Sequence, residues 1–217
     1  LNPFVGMFGY YNGPEVNRVL FSFHRMNQLL GYVNSETEVN KVARPSMAIE
    51  INNLPSIEGL NLPSSYIAIA LGGEWAYRTY NKWGEVIDKL LKNNDKLNLV
   101  FVGSDNAKES AKALTEAFPR DNIFNCVAKF TFNQTAQIIG GASILLCCDG
   151  GLMHSANAVN TPILPLFAKL TPIMQLTESI QAFPLFDANN VNNIPVEDIL
   201  VKYIEATNSV NNHPQGE

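Results

Sequence analysis

The richest run of chemistry is Asp149-Gly150-Gly151-Leu152-Met153-His154, where an apolar stretch ends in a carboxylate, passes two glycines and enters a helical pattern. A helix start presents free backbone N–H groups reinforced by the helix dipole, and glycine lets a ligand approach the main chain, so the run suits a phosphate. It fits equally well a tight turn in which Asp149 caps the helix with no ligand, and His154 fits a simple hydrogen bond to a neighbouring loop. Three further loops follow candidate strands. Gly72-Gly73 precedes Arg78 and Lys82, cations suited to a diphosphate, with Arg offering a forked donor geometry. The alternative there is a surface loop with solvated charges. Gly103-Ser104-Asp105 and Lys129-Phe130-Thr131 are weak separately. Together the four loops supply glycine, cations and an aromatic for a nucleotide site.

Missing patterns narrow the chemistry. There is no Gly-x-x-x-x-Gly-Lys-Ser/Thr loop, no Gly-x-Gly-x-x-Gly after the first strand and no Gly-x-Ser-x-Gly elbow. Phosphoryl transfer on a P-loop, ordinary dinucleotide binding and serine hydrolysis therefore lose support. His24, His154 and His213 are far apart, no zinc spacing is present, and no Asp-x-Asp pair stands ready for a metal-bound diphosphate. We expect no metal and no cofactor, with a diphosphate neutralised by Arg, Lys and backbone donors.

To bring these loops to one edge the chain needs a parallel sheet with crossover helices, because ligands then sit at the carboxyl ends of the strands. Short apolar runs rich in β-branched or aromatic residues predict strands at Tyr66 to Leu71, Leu97 to Val102, Ile123 to Val127, Ser143 to Cys148 and Pro162 to Phe167. Helical spacing predicts helices over Lys82 to Lys92, Ala107 to Phe118, from a cap at Thr131 or Asn133 to Gly140-Gly141, after Gly151, and from Val196 to Ala206. Before the first strand, one helix over Pro14 to Leu30 is followed by a loop-rich stretch containing Pro45, Pro55 and Pro63. Residues 1–65 are expected to be a remnant of another domain with a linker at Leu54 to Ser65, 66–207 the main α/β domain, and 208–217 a flexible tail.

The 217 residues, 46% hydrophobic, suffice for a sizeable core, and the net charge of −5 gives no basic field for nucleic acid, which is not expected as a partner. Cys126, Cys147 and Cys148 lie in apolar runs and read as reduced core residues. No run approaches a membrane span and the start has no signal pattern, so the expected location is cytoplasmic.

Tyr66 to Pro172 resembles glycosyltransferase family nine, the ADP-heptose:lipopolysaccharide heptosyltransferases, whose fold is the two-domain GT-B architecture. Asp149-Gly150-Gly151-Leu152-Met153-His154-Ser155-Ala156 is similar to the family's Asp-Thr/Ser-Gly-x-x-His-x-Ala, followed by Thr161-Pro162-Ile163 and Leu166-Phe167. Thr131-Phe132-Asn133-Gln134 resembles its Ser-Leu-x-Glu, Gly72-Gly73 with Arg78-Thr79-Tyr80 its Gly-Ala then Lys-x-Trp, and His24 to Gly31 the helix closing its acceptor domain. Three departures stand out: Gly150 replaces a hydroxyl residue, Arg78 a Lys and Ala168 a Gly.

The resemblance implies an α/β, Rossmann-like parallel sheet with flanking helices, the C-terminal domain of a GT-B glycosyltransferase. It implies donor binding by Gly72, Gly73, Arg78, Gly103, Glu109, Phe130, Asp149, Gly150, Gly151, Leu152 and His154. Among these Arg78 and the Gly150–Leu152 backbone would hold phosphate, Asp149 the sugar or its phosphate linkage, Phe130 the nucleobase and Glu109 the ribose. The implied reaction is inverting, metal-independent transfer from a nucleotide diphosphate sugar, an ADP-sugar in first place, to a lipopolysaccharide or other surface-glycan acceptor, with peripheral contact at the inner membrane. The family's general base belongs to its acceptor domain and is expected outside this chain. Two other readings are a noncatalytic nucleotide-binding module and a nucleotide-sugar epimerase.

Overall fold

The computed structural model describes residues 17–32, 34–47 and 60–212. Apolar runs too short for helices become six parallel strands: β1 (Ile67–Ala70), β2 (Leu99–Val102), β3 (Ile123–Asn125), β4 (Leu145–Cys148), β5 (Ile163–Ala168) and β6 (Leu185–Asp187). Their order across the sheet is β3-β2-β1-β4-β5-β6. Seven α-helices are formed among the described residues: α1 (Arg18–Leu29), α2 (Glu36–Val42), α3 (Trp83–Asn93), α4 (Lys108–Ala117), α5 (Phe132–Gly140), α6 (Gly151–Ala158) and α7 (Val196–Asn212). The α/β, Rossmann-like class follows directly. The strand order reverses between β1 and β4, which pair in parallel through Ala68 with Leu145 and Ile69 with Leu146. The loops leaving those two strands diverge there and open a crevice.

Both faces of the sheet are covered, which is why its strands lack polar alternation. On one face Ile67, Ile69 and Leu71 meet Val86, Ile87, Leu90 and Leu91 of α3 and Ile199 of α7. On the other, Ala68, Ala70, Val100 and Val102 meet Ile138 and Ile139 of α5 and Met153 of α6. The adjacent thiols of Cys147 and Cys148 fall on opposite faces, as strand geometry requires. All three cysteines are free.

Several elements differ from the sequence expectations. β6 had not been expected; it is a three-residue edge strand just after Pro184, too short to show a pattern, and proline is tolerated at such an edge. β3 stops at Asn125 because the Asn125 side chain accepts from the Val127 N–H at 3.0 Å and turns the chain. Residues 36–42, read as loop, form α2, started by a capping box in which Ser35 and Glu38 exchange side-chain and backbone hydrogen bonds. α1 begins after Asn17, whose side chain accepts from the Leu20 N–H at 2.9 Å. The expected start at Pro14 and the first half of the expected linker, 54–59, lie outside the described residues. α7 continues to Asn212, so residues 208–212 are helical where a tail was expected. The rest of the expected tail, 213–217, lies outside the described residues. Asn17 Nδ2 also donates to the carbonyls of Ile173 and Leu176 at 2.7 and 2.6 Å, tying the start of α1 to the sheet domain.

Candidate functional site

At the switch point a cavity of about 570 Å³ opens between the loops that follow β1, β2, β3 and β4. Nine of the sequence-derived candidates line it: Gly72, Gly73, Arg78, Gly103, Phe130, Asp149, Gly150, Gly151 and Leu152. They come from segments spread over eighty residues, and the strand order is what collects them.

The loop after β1 turns through Gly72, whose φ of +83° is costly for any other residue. A short 3-10 turn, Ala76–Arg78, then delivers Arg78 to the cavity. Asn192 locks this loop from behind: its Nδ2 donates to the Thr79 carbonyl at 2.8 Å and its Oδ1 accepts from the Asn81 N–H at 2.7 Å. Lys82, considered as a second phosphate cation, is turned away; its Nζ donates to the Asn192 carbonyl at 2.7 Å. Gly103 sits so near the first loop that a Cβ there would lie 2.8 Å from the Leu71 carbonyl oxygen. Asn106 joins the two loops by donating to the Gly73 carbonyl at 3.0 Å.

Asp149 directly follows β4, with its N–H bonded to the Leu166 carbonyl at 3.0 Å. It is not the helix cap that one reading assigned to it. Gly150 is the N-cap of α6 and no side chain caps that start. The Asp149 carboxylate instead accepts from Arg78 Nη1 at 2.9 Å, with side chains 3% and 19% exposed respectively. Arg78 Nε is buried with no hydrogen-bond partner among the described residues. The guanidinium is thus oriented by one bond and keeps donors free. It also lies 5.8 Å from the centre of the Tyr77 ring, which Lys169 Nζ approaches to 3.9 Å.

His154 and Glu109 are not among the cavity-lining residues. His154 lies within α6, half-buried, its N–H bonded to the Gly150 carbonyl at 3.3 Å. Burial lowers its pKa below the usual histidine value, opposed by the charge of Asp149. Glu109 is exposed on α4, because Ala107 and Ala111 take the buried side and position 109 falls about half a turn away. Glu74 and Asp105 are the other carboxylate residues on the cavity wall, beside Asp149. Sequence reasoning also passed over Phe132 and Thr135, although both belong to the helix start it had singled out. Thr131 Oγ1 accepts from the Gln134 N–H at 3.3 Å and Gln134 Oε1 accepts from the Thr131 N–H at 3.0 Å, so the cap is Thr131 and Phe132 is placed at the cavity. Cys148 lines the cavity too, but burial pushes its thiol up to about 12, which keeps it protonated and a poor nucleophile. His24 stands elsewhere, its Nε2 2.8 Å from Asn40 Oδ1 between α1 and α2. His213 lies outside the described residues.

An open parallel sheet with an uncapped helix start, a held arginine and a crevice at the switch point is an anion and nucleotide arrangement. Solved structures share the fold. The glycosyl transferase family 9 protein from Veillonella parvula DSM 2008 superposes with a TM-score of 0.61 at 16% identity, over 70% of this chain and 49% of that one. The E. coli ADP-heptose lps heptosyltransferase II gives 0.60 at 18% identity, over 70% and 49%. The E. coli heptosyltransferase WaaC with ADP-2-deoxy-2-fluoro heptose gives 0.58 at 17% identity, over 83% and 53%. The chain therefore spans about half the length of these structures, and at such identities the likeness is one of fold. No curated protein matches the chain. The sequence profile of glycosyltransferase family 9 (heptosyltransferase) matches residues 11–189, and the chain belongs to that family.

Proposed function

We propose that the switch-point cavity binds the diphosphate of a nucleotide sugar and that this chain forms the donor side of a glycosyltransferase. The observation that carries the reading is Arg78, held by Asp149 with spare donors, beside the uncapped start of α6. The N–H groups of Gly151 and Leu152 and the Arg78 guanidinium would receive the phosphates. Phe130, Phe132 and Thr135 offer a partly apolar wall for the base, and Asp149 would orient Arg78 while meeting the sugar-phosphate linkage.

As the bond between the anomeric carbon and the diphosphate breaks, negative charge grows on the departing oxygen. Preorganised donors aimed there stabilise that charge more than they stabilise the bound donor. Arg78 and the helix start suffice for this without a metal. An acceptor hydroxyl attacking from the opposite face would give inversion. We assign an ADP-sugar as donor, on the strength of the ADP-heptose neighbours, and a glycolipid or surface glycan as acceptor, reached by peripheral contact with the inner membrane. No helix among the described residues is long and apolar enough to cross a membrane.

Calorimetric titration with ADP, UDP and inorganic phosphate, with and without EDTA, tests the reading. We expect saturable ADP binding that EDTA leaves unchanged, stronger than UDP and much stronger than phosphate. Failure of both nucleotides and of phosphate to bind would refute it.

A further inference from the structure

A second cavity, of about 260 Å³, lies at the far end of α6 from the donor cavity. Gly151 and Asn157 are on the two walls, about 9 Å apart along the helix axis at 1.5 Å per residue. Arg44, Asn160, Thr161, Ser179, Ile180 and Gln181 complete the second wall with Asn157. Asn157 is only 3% exposed, and among the described residues neither its Nδ2 nor its Oδ1 has a hydrogen-bond partner. A buried primary amide with both ends unmet forfeits its hydration and gains nothing in return, which is rare and calls for a ligand.

The wall indicates what that ligand is. An amide left with a free donor and a free acceptor side by side is answered by a group that accepts and donates at neighbouring atoms, as two vicinal hydroxyls do. Arg44 stands at the rim, its Nη1 bonded to Asn160 Oδ1, with other guanidinium donors remaining. Ile180 adds an apolar patch against which sugar C–H groups can rest. Ser179 is set by its 3.0 Å contact with Thr177 Oγ1 and a bond to the Ala43 carbonyl at 3.5 Å, so the segment before β6 and the end of α2 hold the cavity together.

We propose that this cavity binds one pyranose unit of a glycan, with Asn157 donating to one ring hydroxyl and accepting from the next, and Arg44 closing the rim. The choice of a sugar among vicinal diols rests on the glycosyltransferase reading; the existence of the site rests on Asn157. It would anchor an acceptor glycan at a distance from the donor.

The test is ligand-detected NMR on the whole chain with the methyl glycosides of glucose, galactose and mannose, alongside a separate ADP titration. At least one glycoside should show saturation transfer, weakened about tenfold or more by Asn157→Ala and by Arg44→Ala. ADP binding should be unchanged in both variants. Asn157→Ala should also raise the Tm of the free chain, since it removes an unmet buried amide. Arg44 is exposed, so Arg44→Ala keeps the test informative if the Asn157 variant folds poorly. The proposal falls if no glycoside binds while Asn157→Ala raises Tm, which describes a cavity holding water. It also falls if binding is equal in both variants, or if inorganic phosphate binds at Arg44 and no glycoside does. Glycoside binding without ADP binding would sustain this site and overturn the donor reading instead.

Discussion

Arg78 has two tasks, to neutralise Asp149 and to face the cavity, and their consequences separate. Arg78→Ala leaves a carboxylate that is almost wholly buried without its partner. Losing one member of a buried pair costs roughly 3–5 kcal/mol, and about 2 is expected here because the guanidinium is part exposed. Urea unfolding measures that loss, and calorimetry should show ADP binding at least about tenfold weaker. Arg78→Lys keeps the charge but not the fork, so binding should fall between the two. His154 sets a pH dependence. Its folded pKa is lowered by burial, so between about 6.5, the ordinary histidine value, and the lower folded value the unfolded chain binds more protons. Stability is full above that window and declines as pH falls through it. Thermal melts from pH 8 to 5 should therefore show a decline that His154→Gln reduces; equal slopes would remove His154 from this role.

The elements that aim these side chains are sensitive at places that touch no ligand. Asn192 fastens the loop carrying Arg78 through Thr79 and Asn81, so Asn192→Ala should weaken ADP binding several-fold although Asn192 is not on the cavity wall. If affinity holds in that variant, the loop is kept in place by other means. Two glycines of the site should behave oppositely. Gly103→Ala would press a methyl group 2.8 Å from a backbone oxygen and destabilise the fold by about 1–3 kcal/mol. A Cβ at Gly150 meets nothing within 4 Å, and its φ of 168° is ordinary extended backbone. Gly150→Ser should thus change Tm little and strengthen ADP binding by supplying a hydroxyl donor at the start of α6. Chemical denaturation and calorimetry on the pair check both directions.

Across the whole molecule, what could be read from sequence was what depends on local pattern. The five apolar strands are two-sided core, so β-branched and aromatic runs betray them, and the cap at Thr131 is written in its own four residues. The capping box at Ser35 and Glu38 was equally legible but lay in a stretch whose prolines drew attention first. Other features depend on partners far along the chain. Asp149 looked like a cap and is an ion pair because β1 and β4 are neighbours; Lys82 looked like a phosphate ligand and is bound by a turn 110 residues later. Glu109 came from the resemblance alone, and its place on α4 turns it outward. β6 had too few residues to register. The doubly wound order makes the switch-point crevice the natural ligand site.

A nucleotide diphosphate is proposed to occupy the crevice between the loops after β1, β2 and β4. Amide chemical-shift mapping of the labelled chain during an ADP titration tests it most directly. The largest shifts are expected at Gly72, Gly73, Gly103, Gly151 and Leu152, saturating together and abolished or shifted to much higher ADP by Arg78→Ala. Shifts that avoid these amides, or that gather around Asn157 and Gln181 at the other end of α6, would contradict it.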